Sequence, residues 1–393
     1  MILPFVFSST PHIHFSVGSR AKLNDLAASY GKKVLLVTGA SSFDHSEYCQ
    51  QIWNALSGQF DVKRFKVSAE PSPALVDQAV AEFASFAPGC VIAVGGGSAI
   101  DAAKAIAGLL PGGDSVLEYL EGVGKGRDYQ GPSTPFVALP TTAGTGGETS
   151  KNAVLSEISE NGFKKSFRHE MLVARHILLD PELTLGCPAN ITAACGMDAF
   201  TQLLESYVSS NTNAMTDALA LSGLVQIRDC LLRAVEDGDD LEARAGMLYA
   251  SSISGLTLAN AGLGSVHGLA SPLGAYFPIP HGVVCGTLLS EACCANVRAL
   301  KERQPDHVSL DKYARVGRIF TRHETLDADA AREALLGMIQ AWSGHLRIPP
   351  LSHFGVTEAD IDRIVAGSRG NSMQTNPVLL SDEEIAGIVR RRL

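Results

Sequence analysis

Aromatic residues are scarce in this chain and charged residues few, at 6% and 19% of 393 positions. No Lys/Arg-dense stretch stands out and the net charge is −9, so nucleic acid and anionic membrane are poor candidates as partners. No uninterrupted apolar segment approaches membrane-spanning length. The Met1–Phe7 run is apolar but too short for the hydrophobic part of a secretory signal, and no basic residue precedes it. The eight cysteines form no C-x-x-C pair and keep no regular spacing. They read as free thiols in a reducing compartment, and the cytoplasm is the expected location. There is no internal repeat and no low-complexity linker. What is present is an apolar fraction of 46%, enough for a globular protein with a large core and two domains.

The stretch that organises the rest is VIAVGGGSAIDAAKAIA, Val91 to Ala107. Val91–Val94 suits a strand buried on both faces. Gly95, Gly96 and Gly97 follow, Ser98 stands where a helix N-cap belongs, and Ala99–Ala107 is rich in helix formers. Strand, glycine turn and helix start together make a phosphate site, because glycines admit the ligand and unpaired N–H groups point at it. The spacing is not G-x-G-x-x-G. A glycine-rich turn that binds nothing is the competing reading.

Short apolar runs alternate with helical stretches up to about Asp180. IHFSV, KVLLVT, VKRFKV, VIAV, FVALP and HILLD are the strand candidates, and the alternation predicts a parallel sheet with crossover helices. After Pro188 helical periodicity takes over. The expectation is a Rossmann-like α/β domain over residues 1–187 and an all-α domain over residues 188–393, with a ligand cleft between them. Two further stretches carry polar groups. LPTTAGTGGETS, Leu139 to Ser150, follows a strand and offers small residues and hydroxyls beside the first glycine loop. In GMDAFTQLLESY, Gly196 to Tyr207, Asp198 and Gln202 lie four apart on one helix face. His267 lies in a small-residue helix and His281 opens the next one. These four either hold a divalent metal such as zinc or iron or serve as hydrogen-bonded core and capping groups.

In combination, GGGSAIDAAKAIA, PTTAGTGGETS, LLDPELT (Leu178 to Thr184), GMDAF, the His267…PHG block and EPSP (Glu70 to Pro73) resemble the iron-containing, or group III, alcohol dehydrogenase family over nearly the whole chain. That resemblance implies hydride transfer between a nicotinamide cofactor and a small alcohol or carbonyl compound whose oxygen is polarised by a metal in the cleft. It places Gly95, Gly96, Gly97 and Ser98 on the pyrophosphate and Asp101 near the nicotinamide. It places Thr141, Thr142, Thr145 and Ser72 along the nucleotide, with Lys164 or Lys165 near a ribose. Asp198, His267 and His281 fall on three metal-ligand positions. A homodimer is also implied, with IHFSV pairing with its mate.

The chain departs from the family pattern twice. Gln202 replaces a ligand histidine; its carbonyl oxygen can still ligate, though it favours harder ions. Ser271 replaces a histidine of the proton relay and cannot itself hold a proton near neutral pH. The turn after KVLLVT, where Gly39 and Ser41 would line the cofactor, has no carboxylate before Asp44, which favours NADP(H) over NAD(H) although no Arg stands in that turn. Maleylacetate reductase-like or glycerol dehydrogenase-like oxidoreductases are the enzymatic alternatives. A nucleotide-binding protein with a degenerate metal site is the non-enzymatic one.

Overall fold

A computed structural model describes residues 4–393; Met1 to Leu3 of the apolar N-terminal run lie outside the described residues. Six strands form one parallel sheet: β1 (His12–Phe15), β2 (Lys33–Gly39), β3 (Asp61–Val67), β4 (Cys90–Gly95), β5 (Phe136–Pro140) and, after a hairpin, β8 (His176–Leu179), in the order β1-β8-β5-β4-β2-β3. Helices α1 (Leu23–Ala28), α2 (Ser42–His45), α3 (Glu47–Ser57), α4 (Pro73–Phe83) and α5 (Gly97–Leu109) connect the strands. The sheet is buried on both faces because its central strands are almost continuously apolar. Leu35 and Val37 of β2, with Val91 and Ala93 of β4, point into one core; Val34, Leu36, Ile92 and Val94 point into the other.

All six predicted strands are present. The antiparallel hairpin of β6 (Asn152–Glu157) and β7 (Phe163–Arg168) was not anticipated, because the charged residues of FKKSFR conceal its alternation. The start of α5 differs from expectation as well. Its N-cap is Gly96, in an extended conformation and without a side-chain cap, and Ser98 lies inside the first turn. A capping hydroxyl would occupy the place where the helix start presents its N–H groups.

The helical half consists mainly of α6 (Ala189–Val208), α7 (Ala214–Glu236), α8 (Leu241–Ala261), α9 (Ser265–Tyr276), α10 (His281–Arg303), α11 (Val308–Thr321) and α12 (Ala328–His345) around a single core. Helix α10 is long and apolar enough to cross a membrane by length and composition, but 78% of its apolar window is buried inside the protein, as in a core helix. Met197 and Phe200 of α6 are core residues; Phe200 stacks on Phe320 at 5.2 Å.

Candidate active site

The strand order reverses between β2 and β4, and in open α/β sheets that crevice, at the carboxyl ends of the strands, is where ligands bind. Thr38 is level with Val94 there, and Gly95 with Pro140. The turns after β2, β4 and β5 therefore open side by side. They also touch. A Cβ on Gly95 would lie 2.7 Å from the Ala99 Cβ, one on Gly96 3.1 Å from Thr142 Oγ1, and one on Gly97 3.2 Å from Thr145 Oγ1. Thr141 N–H donates to the Gly95 carbonyl at 3.0 Å. The glycines are needed because a side chain at these positions would push the two loops apart.

Behind this rim Lys104, fully buried on α5, donates to the carbonyls of Gly147 and Asn152, each at 2.6 Å. Burial lowers its pKa to about 8, and the same burial raises Asp101 to about 6 and Glu148 to about 7. Lys104 thus fastens the second glycine loop to the helix of the first. A lone lysine in AIDAAKAIA was the available signal. Gly39 ends β2 and Ser41 follows in the turn, and although no Arg stands in that turn, cations reach it from the next strand. Arg64 and Lys66 reach it from β3, both paired with Asp44, and Arg64 Nε donates to Thr38 Oγ1 at 3.0 Å. Parallel pairing of β2 with β3 brings them there.

Ser72 Oγ accepts from Leu75 N–H and caps α4. Lys164 is held by Glu70, whose two oxygens lie 2.7 and 2.8 Å from Nζ; Ser156 Oγ donates to the same carboxylate at 2.8 Å. The expected approach of Lys164 to a ribose therefore starts from an ion pair with the EPSP segment. The Ser271 hydroxyl donates to the Lys164 carbonyl at 3.2 Å and ties α9 to β7.

Three helices converge on the second part of the site. Asp198 from α6, His267 from α9, and His281 and Cys285 from α10 place one donor atom each within 4.8 Å of one another. The Nε2 atoms of His267 and His281 lie 3.4 and 3.6 Å from Asp198 Oδ1. Burial would raise the Asp198 carboxyl, but the imidazoles of His281 and His267 outweigh it and hold the pKa down to about 2. Burial takes His281 down to about 4, leaving its imidazole neutral. For His267 burial is outweighed by Cys285, Asp198 and Glu205, and its pKa rises.

Glu205, which sequence reasoning did not single out, accepts from His267 Nδ1 at 2.7 Å and from Val266 N–H at 2.7 Å. It fixes the tautomer that aims the Nε2 lone pair into the cluster, the carboxylate–histidine arrangement common behind metal ligands. Gln202 stands differently from the expectation that its oxygen ligates. Its Nε2 donates to Asp198 at 3.3 Å, while its Oε1 accepts from Ser254 Oγ at 2.9 Å. Ser254 Oγ also lies 3.5 Å from the Gly144 carbonyl in the second glycine loop. This hydroxyl, with one proton and the Ser251 carbonyl also in reach at 2.7 Å, lies between the rim and the cluster. The donor set of carboxylate, imidazoles and thiol fits a divalent transition metal.

Residues 10–181 match the iron-containing alcohol dehydrogenase family, and residues 192–393 match the C-terminal domain of the same Fe-containing family. The chain is 31% identical to the NAD-dependent methanol dehydrogenase of Bacillus methanolicus over 92% of each chain. It is 33% identical to the 1,3-propanediol dehydrogenase of Klebsiella pneumoniae over 99% of this chain and 97% of that one. A crystal structure of a 1,3-propanediol oxidoreductase superposes with a TM-score of 0.90, at 29% identity and full coverage of both chains. Glycine rim, ligand cluster and likeness along the whole chain agree: this chain belongs to the iron-containing alcohol dehydrogenase family, oxidoreductases acting on CH–OH groups.

Proposed function

We propose that this chain interconverts small alcohols and their carbonyl compounds, with a nicotinamide dinucleotide lying across the glycine rim and the substrate oxygen directed at the Asp198 cluster. The observation that carries this reading is the closeness of rim and cluster, with Ser254 Oγ 3.5 Å from the Gly144 carbonyl and 2.9 Å from Gln202, which itself donates to Asp198. When bound, a divalent metal supplies Lewis-acid polarisation of the oxygen, and the nicotinamide takes or gives the hydride. Asp198, His267 and His281 hold the cation, with Glu205 orienting His267. The first N–H groups of α5 and the hydroxyls of Thr142 and Thr145 hold the pyrophosphate. Lys164, kept in place by Glu70, extends a positive charge towards Asp101 and His281.

The test is formation of reduced nicotinamide from a panel of primary alcohols by protein reconstituted with Zn²⁺, Fe²⁺ or Mn²⁺. Turnover abolished by a chelator supports the reading. Dinucleotide binding without turnover under every metal would instead mark a binding protein with a degenerate site.

For the cofactor we propose NADP(H). Two cations, Arg64 and Lys66, face the single carboxylate of Asp44, so a 2′-phosphate beside the small Gly39–Ser42 turn meets net positive charge. Losing one charge-assisted hydrogen bond costs roughly 1.5–3 kcal/mol, so Arg64→Ser should raise the KM for NADPH about tenfold and barely change that for NADH. A wild type that prefers NADH overturns this choice. We also propose a homodimer. The outer edge of β1 carries exposed Ile13 and Phe15, a pairing edge for a second copy; light scattering that shows only monomer overturns it. The eight free cysteines support a reducing, cytoplasmic setting.

A further inference from the structure

We infer that Cys285 is a metal ligand of this chain and takes the place that Gln202 leaves vacant, giving a donor set of one carboxylate, two imidazoles and one thiolate. The inference rests on the metal-assisted reading above and extends it to the identity of the fourth donor. Two i,i+4 pairs face the cluster. On α6, Asp198 is followed one turn later by Gln202, whose oxygen is engaged by Ser254 and whose amide N–H₂ is turned to the carboxylate. On α10, His281 is followed one turn later by Cys285, fully buried, with Sγ 3.8 Å from His281 Nε2 and 3.7 Å from His267 Nε2.

Those lengths can be compared with the edges of a coordination tetrahedron. With zinc bonds of about 2.05 Å to nitrogen, about 2.1 Å to oxygen and about 2.3 Å to sulfur, the N–O edges are about 3.4 Å and the N–S edges about 3.6 Å. The N–O separations here are 3.4 and 3.6 Å, and the N–S separations 3.7 and 3.8 Å. These four edges stand within about 0.2 Å of such a set, and all four donor atoms lie within 4.8 Å of one another. On coordination the S–H proton leaves to solvent and the sulfur binds as thiolate. One thiolate makes the site softer and directs it towards zinc rather than the harder Mn²⁺ or Mg²⁺.

Cobalt(II) substitution of the full-length protein tests this without relying on turnover. Wild type should bind one Co²⁺ and show an intense near-ultraviolet sulfur-to-cobalt charge-transfer band. Gln202→Ala should keep the band. Cys285→Ser should lose it and hold Zn²⁺ more weakly by more than the roughly 10–100-fold that removal of an outer partner costs. Cobalt bound to wild type without the band, a band that persists in Cys285→Ser, or a band lost in Gln202→Ala would each overturn the assignment while leaving the metal-assisted reading in place. The wild-type spectrum alone suffices if Cys285→Ser fails to fold. A wild type that binds neither Co²⁺ nor Zn²⁺ overturns both the assignment and the reading beneath it.

Discussion

The glycine rim and the ligand cluster solve the same problem, holding a charged group in a buried place, by opposite means. The rim uses backbone. Its N–H groups come from one contiguous turn, and its side chains matter chiefly by being absent at Gly95, Gly96 and Gly97. The cluster uses side chains carried by α6, α9 and α10, each aimed by further groups such as Glu205. A backbone site tolerates little substitution within its own loop and depends little on distant residues. A side-chain site can lose one donor and recruit another from a neighbouring helix, as Gln202 and Cys285 indicate.

Mutations can separate the two regions. The largest effect is expected from Asp198→Ala, which removes the carboxylate shared by both imidazoles. Metal binding should vanish and kcat fall by about 10³-fold, the equivalent of several kcal/mol of lost polarisation, while calorimetric titration should still show dinucleotide binding. Loss of both would mean that the regions are not independent. Gly96→Val is the converse. Its side chain meets Thr142, and dinucleotide affinity should drop about 10²-fold, or roughly 3 kcal/mol, with metal stoichiometry by elemental analysis unchanged. Glu205→Gln should weaken metal affinity about tenfold or somewhat more by releasing His267, measured by chelator competition; an unchanged affinity would remove Glu205 from the positioning role.

The smallest effect concerns the outer corner of the rim. Hydrogen bonds from Arg64 and Lys66 hold Asp44 down to about 2 from 3.8, so its folded-state pKa is depressed. The stability it contributes is present above pH 3.8 and is lost as pH falls through 2. The Tm difference between wild type and Asp44→Asn should accordingly be constant above about pH 5, shrink progressively below it and disappear only towards about pH 1, below both pKa values.

Much of this arrangement was legible in the sequence, unequally between the two regions. All six strands of the sheet could be read because buried parallel strands are continuous apolar runs. The β6–β7 hairpin could not, because its lysines face a half-exposed setting where alternation is weak. Asp198, His267 and His281 were found as ligand candidates from residue type and helix spacing, and the family motifs then placed them on ligand positions. Cys285 escaped notice, although the i,i+4 reasoning applied to Asp198 and Gln202 would have found it one turn beyond His281. Glu205 stands two turns beyond Asp198 on the same helix, but nothing along the chain showed that its partner would be His267 on α9.

The sequence by itself determined where backbone could bind a phosphate, where the parallel sheet runs and which half is helical, since these follow from local periodicity and from the steric freedom of glycine. Only the tertiary structure decided which donors share a cation, which way the Gln202 amide points, and that Arg64 and Lys66 guard the β2 turn. Those outcomes depend on distances between residues far apart in the chain, set by helix packing and strand pairing rather than by any spacing along it.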